Sequence, residues 1–149
     1  MRIGFGWDLH RLKEGRELVL GGISIPSKRG EDAHSDGDVL IHALIDALLG
    51  ALALGDIGSH VPPSDPQWRD VRSTLLLERV VDMIHGEGYL VANIDSTIVL
   101  QKPKLGPHIG EIRRALADRL QVEAGHVSVK AKSHEEVGPI GRGEAIEAY

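Results

Sequence analysis

The sequence predicts an α+β domain, one sheet carrying helices on a single face, and three observations predict it. Residues 89–100 alternate, with Ile94, Ser96, Ile98 and Leu100 on one side and Val91, Asn93, Asp95, Thr97 and Val99 on the other, the period of a strand. Leu76, Val80 and Ile84 recur at four-residue spacing, and Ile109, Ile112, Leu116 and Leu120 form a second stripe, the period of amphipathic helices. Strand-like and helical stretches then follow one another in turn, with crossovers long enough to join parallel neighbours.

Taken in order, Arg2 to Phe5, Glu17 to Leu20 and Ile23 to Ile25 read as short strands, and Gly21-Gly22 turns between the last two. Ser35 or Asp36 can cap a helix running from about Asp38 to Ala53. Pro62, Pro63 and Pro66 hold the loop behind it, and Ser73 to His85 forms the next helix, stopped at Gly86-Glu87-Gly88. Tyr89 to Leu100 is a strand, Pro107 to Gln121 a third helix, and Val127 to Ala131 and Glu144 to Tyr149 close the sheet. The sheet face without helices needs a cover, which points to an oligomer.

Composition narrows the function. The 149 residues fit a single domain spanning 1–149, and 42% hydrophobic content supplies a core without staples. Only Phe5, Trp7, Trp68, Tyr89 and Tyr149 are aromatic, so that core is aliphatic. Cysteine is absent, which removes thiol catalysis, thiolate metal sites and disulfides. A net charge of −5 offers neither the basic footprint nor the aromatic platform of nucleic-acid binding. The run from Val39 to Ala53 is broken by His42 and Asp46 and falls short of the roughly 18–20 apolar residues of a membrane span. Met1 to Gly4 leads straight into strand-like sequence with no leader pattern, so a soluble, cytoplasmic domain is expected.

Five constellations carry chemistry. In Asp8-Leu9-His10 the carboxylate and imidazole are two apart and share one side of an extended backbone. That suits a zinc-like cation and equally an exposed turn. In His34-Ser35-Asp36-Gly37-Asp38 with His42 and Asp46, positions 38, 42 and 46 share a helical stripe, so Asp38 or Asp46 can accept the second ring N–H of His42. Asp8, His10 and His42 together make three donors with a fourth position open, the pattern of a catalytic zinc. The helix start at Ser35 to Gly37 favours phosphate. In Leu54-Gly55-Asp56-Ile57-Gly58-Ser59, Asp56 can take ribose hydroxyls, or the segment is an ordinary capped loop. In Lys130 to Gly143, Glu135 can hold magnesium shared with phosphate oxygens, and Arg142 can clamp a phosphate or fold back on Glu144. Leu100-Gln101-Lys102-Pro103-Lys104-Leu105-Gly106 can read a base edge through its backbone, or is a basic surface loop.

Together these segments resemble the 2-C-methyl-D-erythritol 2,4-cyclodiphosphate synthase family of the non-mevalonate isoprenoid pathway. The matching pieces are Arg2-Ile3-Gly4, Asp8-Leu9-His10, Ala33 to Asp38, His42-Ala43-Leu44, Asp46 to Ala51, Leu54 to Gly58, Lys102-Pro103-Lys104 and Gly141 to Glu144. They cover essentially the whole chain. The resemblance implies a homotrimer of ferredoxin-like βαβ sandwiches with active sites between subunits. It implies that 4-diphosphocytidyl-2-C-methyl-D-erythritol 2-phosphate becomes the 2,4-cyclodiphosphate, with release of CMP. By the same carry-over Asp8, His10 and His42 hold zinc, and Glu135 holds magnesium or manganese. His34 and Ser133 stabilise the transition state, and Asp56 and Gly58 hold the ribose. Residues 100 to 106 of a neighbouring subunit recognise cytosine, and Arg142 lines a trimer axis that can take an isoprenoid diphosphate. Ser35, Ile57, Val61, Pro62, Pro63, Ser64, Asp65, Lys132, His134 and Pro139 complete the expected substrate-contacting set.

The chain departs from the family pattern at three places. Val61-Pro62-Pro63-Ser64-Asp65 stands where Phe-Pro-Asp-Thr/Ser-Asp is expected, Ser133 stands for Thr, and Pro139 stands for an aromatic. Two other classes make different products. A zinc phosphohydrolase using the same triad would release phosphate, and a trimeric metal- or nucleotide-binding module would turn nothing over.

Overall fold

The computed structural model describes residues 1–62, 66–68 and 70–149. In chain order the elements are β1 (Asp8–Glu14), β2 (Leu18–Leu20), β3 (Ile23–Ile25), β4 (Arg29–Glu31), α1 (Val39–Ala51) and α2 (Ile57–His60). They continue with α3 (Ser73–Gly86), β5 (Ile94–Val99), α4 (Ile109–Leu120), β6 (Val127–Lys132), α5 (Gly138–Gly141) and β7 (Ala145–Ala148). The main sheet has the order β4-β1-β7-β5-β6, with β2 and β3 forming a separate hairpin. Only β5 and β6 are parallel among the paired strands of the described residues, joined through α4, so one βαβ unit sits in an otherwise antiparallel sheet. The expectation of parallel neighbours holds for that crossover alone.

Helices α1 and α4 pack on one sheet face, and α3 packs against both of them. Ile41, Ile45 and Leu49 of α1 meet Leu77 of α3, Leu116 of α4 and Ile98 and Ile146 of the sheet, all fully buried. The core is aliphatic, as composition requires. α1 is apolar nearly all round, because it is wedged between the sheet and α3.

The cap of α1 is Asp38, not Ser35 or Asp36. Its Oδ1 accepts from Ile41 N at 3.1 Å, while Oδ2 accepts from Gly22 N at 2.7 Å. One buried carboxylate therefore closes the helix and straps the β2–β3 turn against it. Burial pushes its pKa up to about 6 despite those amide bonds.

The strand expected at Arg2 to Phe5 does not form; residues 1–7 lie outside the ladder. They lie against α1 through two glycines. A Cβ at Gly4 would stand 1.7 Å from the carbonyl oxygen of Ala47, and one at Gly6 would stand 1.9 Å from that of Ala43. The alternate residues Ile3, Phe5, Trp7 and Leu9 then point outward, and Phe5 stays 76% exposed. On this outer face α5 covers only a small cluster of Val99, Ile140 and Ala145. Tyr149 adds its ring 6.4 Å from Phe5. The uncovered face expected from the sequence is thus present, and it is mixed: Leu9, Val99 and Ala145 lie among Arg11, Asp95, Thr97, Lys130 and Glu147. No helix among the described residues is long and apolar enough to cross a membrane.

Candidate active site

Two elements build the centre. β1 delivers Asp8 and His10 on the side facing the helices, and α1 presents His42 from its first turns. Asp8 Oδ2 lies 3.1 Å from His10 Nε2 and 3.2 Å from His42 Nδ1, and the two imidazoles meet edge to face at 5.1 Å. The donor atoms all fall within 4.8 Å of one another.

The outer partners settle which nitrogens are bare. His10 Nδ1 is 2.8 Å from the carbonyl of Gly37, which can only accept, so Nδ1 carries a proton and Nε2 faces Asp8. Glu31 Oε2 accepts from the same Nδ1 at 2.8 Å. His42 Nε2 lies 2.9 Å from Ser73 Oγ, whose own proton goes to Asp36 Oδ1. Ser73 therefore accepts, His42 Nε2 donates, and its Nδ1 is left facing Asp8. Two bare nitrogens and a carboxylate oxygen converge with no hydrogen between them when both imidazoles are neutral. A divalent transition ion satisfies such a set, with nitrogen and oxygen donors and the second ring nitrogens already anchored.

The anchor on His42 differs from expectation. Asp38 is spent on the helix cap, and Asp46 Oδ1 accepts from Ile57 N at 2.7 Å, holding the start of α2. Ser73 and Asp36 take the role instead. Ser73 belongs to α3, more than thirty residues from either partner, so its hydroxyl carried no signal in the linear sequence.

In metal-free protein, protons would take a cation's place. Burial opposes ionisation of Asp8, but its contacts with His10 and His42 outweigh it and hold the carboxyl well below the usual range. Burial likewise opposes charge on His10, yet its bonds to Asp8 and Glu31 raise it to about 10. Burial pushes Glu31 up, against the pull of His10. The metal-free fold thus holds a proton on His10 that the unfolded chain has largely released by pH 7. Its stability is expected to fall as pH rises, the His10 share vanishing through pH about 10. A metal must displace the His10 proton, so zinc affinity should climb about tenfold per pH unit from neutrality upward. Competition titrations with a chromophoric chelator at several pH values check this; a flat profile would mean His10 is neutral in the metal-free protein.

A cavity of about 350 Å³ opens on the triad, walled by His34, Ser35, Ile57, Gly58 and Val61 among the residues expected from sequence. Trp68, Val71 and Leu76 also line it and were not expected. Leu76 reads as core from its helical stripe, and Trp68 had only its place after the proline loop as a signal. Asp56 stands exposed next to this wall, where Oδ1 caps α2 by accepting from Ser59 N at 2.8 Å. Pro62 is half-buried, while Pro63, Ser64 and Asp65 lie outside the described residues.

The remaining expected residues gather elsewhere. Gln101 Oε1 accepts from His134 N at 3.2 Å and Glu136 N at 3.3 Å, and Leu100 N donates to Lys132 O at 2.9 Å. The 100–106 loop and the 132–136 turn therefore form one cluster. Ser133 donates to Glu135, and Glu135 and Glu136 both hold left-handed backbone, with φ of 49° and 63°. Leu105 is buried; Lys102, Lys104 and Gly106 are exposed, and Pro103 is half-buried after a cis bond. Arg142 folds back on Glu144 through two bonds of 2.8 and 3.1 Å. Pro139 is exposed beside it on α5.

Sheet register measures the gap between the two clusters. Asp8 pairs with Ala148, Ala148 with Ile98, and Ile98 with Ala131. Three strand spacings separate the start of β1 from the end of β6, about 14 Å.

A model of the YgbB family matches residues 1–149. The "2-C-methyl-D-erythritol 2,4-cyclodiphosphate synthase" of Symbiobacterium thermophilum is 54% identical over 149 residues, covering 100% of this chain and 95% of that one. A solved structure of an enzyme of that name in a CDP-bound form is 39% identical with a TM-score of 0.91, covering 99% of this chain and 95% of its own. The bifunctional IspDF of Campylobacter jejuni is 38% identical with a TM-score of 0.93; 99% of this chain matches 40% of that one. A match along the whole length in family, sequence and fold, on a chain that brings Asp8, His10 and His42 together, makes this protein a member of the YgbB family.

Proposed function

We propose that this chain converts 4-diphosphocytidyl-2-C-methyl-D-erythritol 2-phosphate to 2-C-methyl-D-erythritol 2,4-cyclodiphosphate and CMP. The observation that carries this is the three-donor centre in the wall of a 350 Å³ cavity, in a chain about half identical to enzymes named for that product. An oxygen of the substrate's own 2-phosphate attacks the β-phosphorus. The bond from that phosphorus to the oxygen bridging the α-phosphate breaks, and CMP leaves with the electron pair. The nucleophile is already an anion, so no side chain needs to take its proton, which agrees with a chain lacking cysteine. Catalysis then rests on holding one flexible substrate folded and on offsetting phosphate charge.

Asp8, His10 and His42 would hold zinc, and Glu135 magnesium or manganese, the two cations drawing charge from the phosphate oxygens. His34 and Ser35, at the cavity wall near the start of α1, would donate to the phosphates, with Ser133 as the second donor to the transition state. Asp56 and Gly58 would take the ribose. Ile57, Val61 and Pro62 would pack on the methylerythritol, with Pro63, Ser64 and Asp65 closing that side. Residues 100–106 would receive the cytosine, with Lys132 and His134 beside it; the CDP carried by a solved relative is the matching chemistry.

The gap of about 14 Å across the sheet is why we place the cytosine and Glu135 groups on a neighbouring subunit. A homotrimer of ferredoxin-like βαβ sandwiches would supply that neighbour, burying the outward stripe of Ile3, Phe5, Trp7 and Leu9. Arg142 and Pro139 would then lie toward the axis, where an isoprenoid diphosphate could reach Arg142 only by competing with Glu144. The single domain would work in the cytoplasm.

The test is a product assay on zinc- and magnesium-loaded protein, following CMP, cyclic diphosphate and inorganic phosphate by chromatography with mass detection. Equal amounts of CMP and cyclic product are expected, with no phosphate. Phosphate release would instead establish a hydrolase, and absence of any turnover by a zinc-bound protein a binding module.

A further inference from the structure

Glu31 ends β4 with its side chain wholly inside the protein. Its Oε2 accepts twice, from His10 Nδ1 at 2.8 Å and from Val39 N at 2.9 Å. Among the described residues Oε1 has no hydrogen-bond partner. A buried carboxylate with one oxygen unmet is costly to a fold unless positive charge lies close by. Such charge comes from the imidazole itself when protonated, or from a cation on its far side, where His10 Nε2 faces Asp8 and His42.

Gly37 already directs the ring, since its carbonyl takes the same Nδ1 proton at 2.8 Å. What Glu31 adds is charge and a mechanical link. Val39 is the first residue of α1, and His42 follows on the same helix. One oxygen therefore joins the ring of one donor to the helix that carries another.

We propose that Glu31 is a positioning residue of the metal centre: it holds His10 protonated at Nδ1 with Nε2 turned to the cation, and its charge tightens the site for a divalent ion. This rests on Asp8, His10 and His42 being a metal centre. A carboxylate behind a metal-bound histidine raises the basicity of the ligand and fixes its tautomer. A divalent ion then offsets both carboxylates, Asp8 directly and Glu31 through the imidazole.

Zinc titration against a chromophoric chelator on the full chain, with Glu31→Gln and Glu31→Leu beside the wild type, tests the idea. Glu31→Gln keeps an acceptor and removes the charge, and is expected to weaken zinc binding about 10- to 100-fold. The zinc-free Glu31→Gln protein should melt no lower than the wild type, because Gln keeps the acceptor that His10 Nδ1 and Val39 N use. A purely structural role would do the reverse, lowering the melting point and leaving zinc affinity in place. Zinc affinities within about threefold of wild type in both variants would overturn the proposal. In the zinc-loaded wild type, ¹⁵N shifts should report His10 metallated at Nε2 and protonated at Nδ1; metallation at Nδ1 would overturn it without any variant. A wild type that binds no zinc would remove the metal centre itself, whereas zinc binding indifferent to residue 31 removes only the role of Glu31.

Discussion

His42→Ala is expected to lower CMP formation by at least about a thousandfold and to strip zinc from the protein. The substitution leaves Asp8 and His10 as a two-donor remnant and leaves Ser73 Oγ without the N–H it accepts. Glu135→Ala should be similarly inactive while keeping its zinc, because Glu135 stands three strands away from the triad. Mixing the two dead variants after dissociation and reassembly gives the sharper result. If each site takes its triad from one subunit and Glu135 from the next, a random mixture restores about a quarter of the sites. If both halves of a site belong to one subunit, the mixture stays dead. Activity would be read as CMP released, and zinc content as metal per chain.

Gly6→Val should be the most damaging substitution outside the site. The new Cβ would meet the Ala43 carbonyl at 1.9 Å, and the next atoms it meets are also α1 backbone. A flexible side chain can step aside; helix backbone cannot. The N-terminal segment must lift from α1, dragging Asp8 away from His42, at an expected cost of more than about 4 kcal/mol. Urea unfolding of the zinc-free protein measures it. A midpoint within error of wild type would mean that residues 1–7 do not rest on α1 in solution.

The segment around Gly6 also shows where local pattern stops informing. Ile3, Phe5, Trp7 and Leu9 alternate with Gly4 and Gly6 as a strand would, and those four side chains are indeed exposed. Alternation reports which way side chains point but not what lies beneath. Here a helix lies beneath, reached only because glycine has no Cβ. The helix cap is a similar case. Ser35, Asp36 and Asp38 are all good caps by type, and the choice fell to Asp38 because its second oxygen also receives Gly22 N. That contact joins positions sixteen apart.

Residue chemistry and order were enough for the donors. Asp8 and His10 share a strand side at any register, since side chains repeat every two residues. The helix carrying His42 follows from its apolar content and caps, so three metal donors and an aliphatic core were legible in the sequence. What tertiary structure decided was everything that depends on contact between distant elements. It put Ser73 and Asp36 behind His42, in place of Asp38 and Asp46 on the same helical stripe, because α3 crosses there. It buried Glu31 behind His10, and it split the expected site residues into two clusters about 14 Å apart. The physical reason is range. Periodicity and capping act over a few residues, whereas outer hydrogen bonds, cavities and sheet order are set by which elements the core brings side by side.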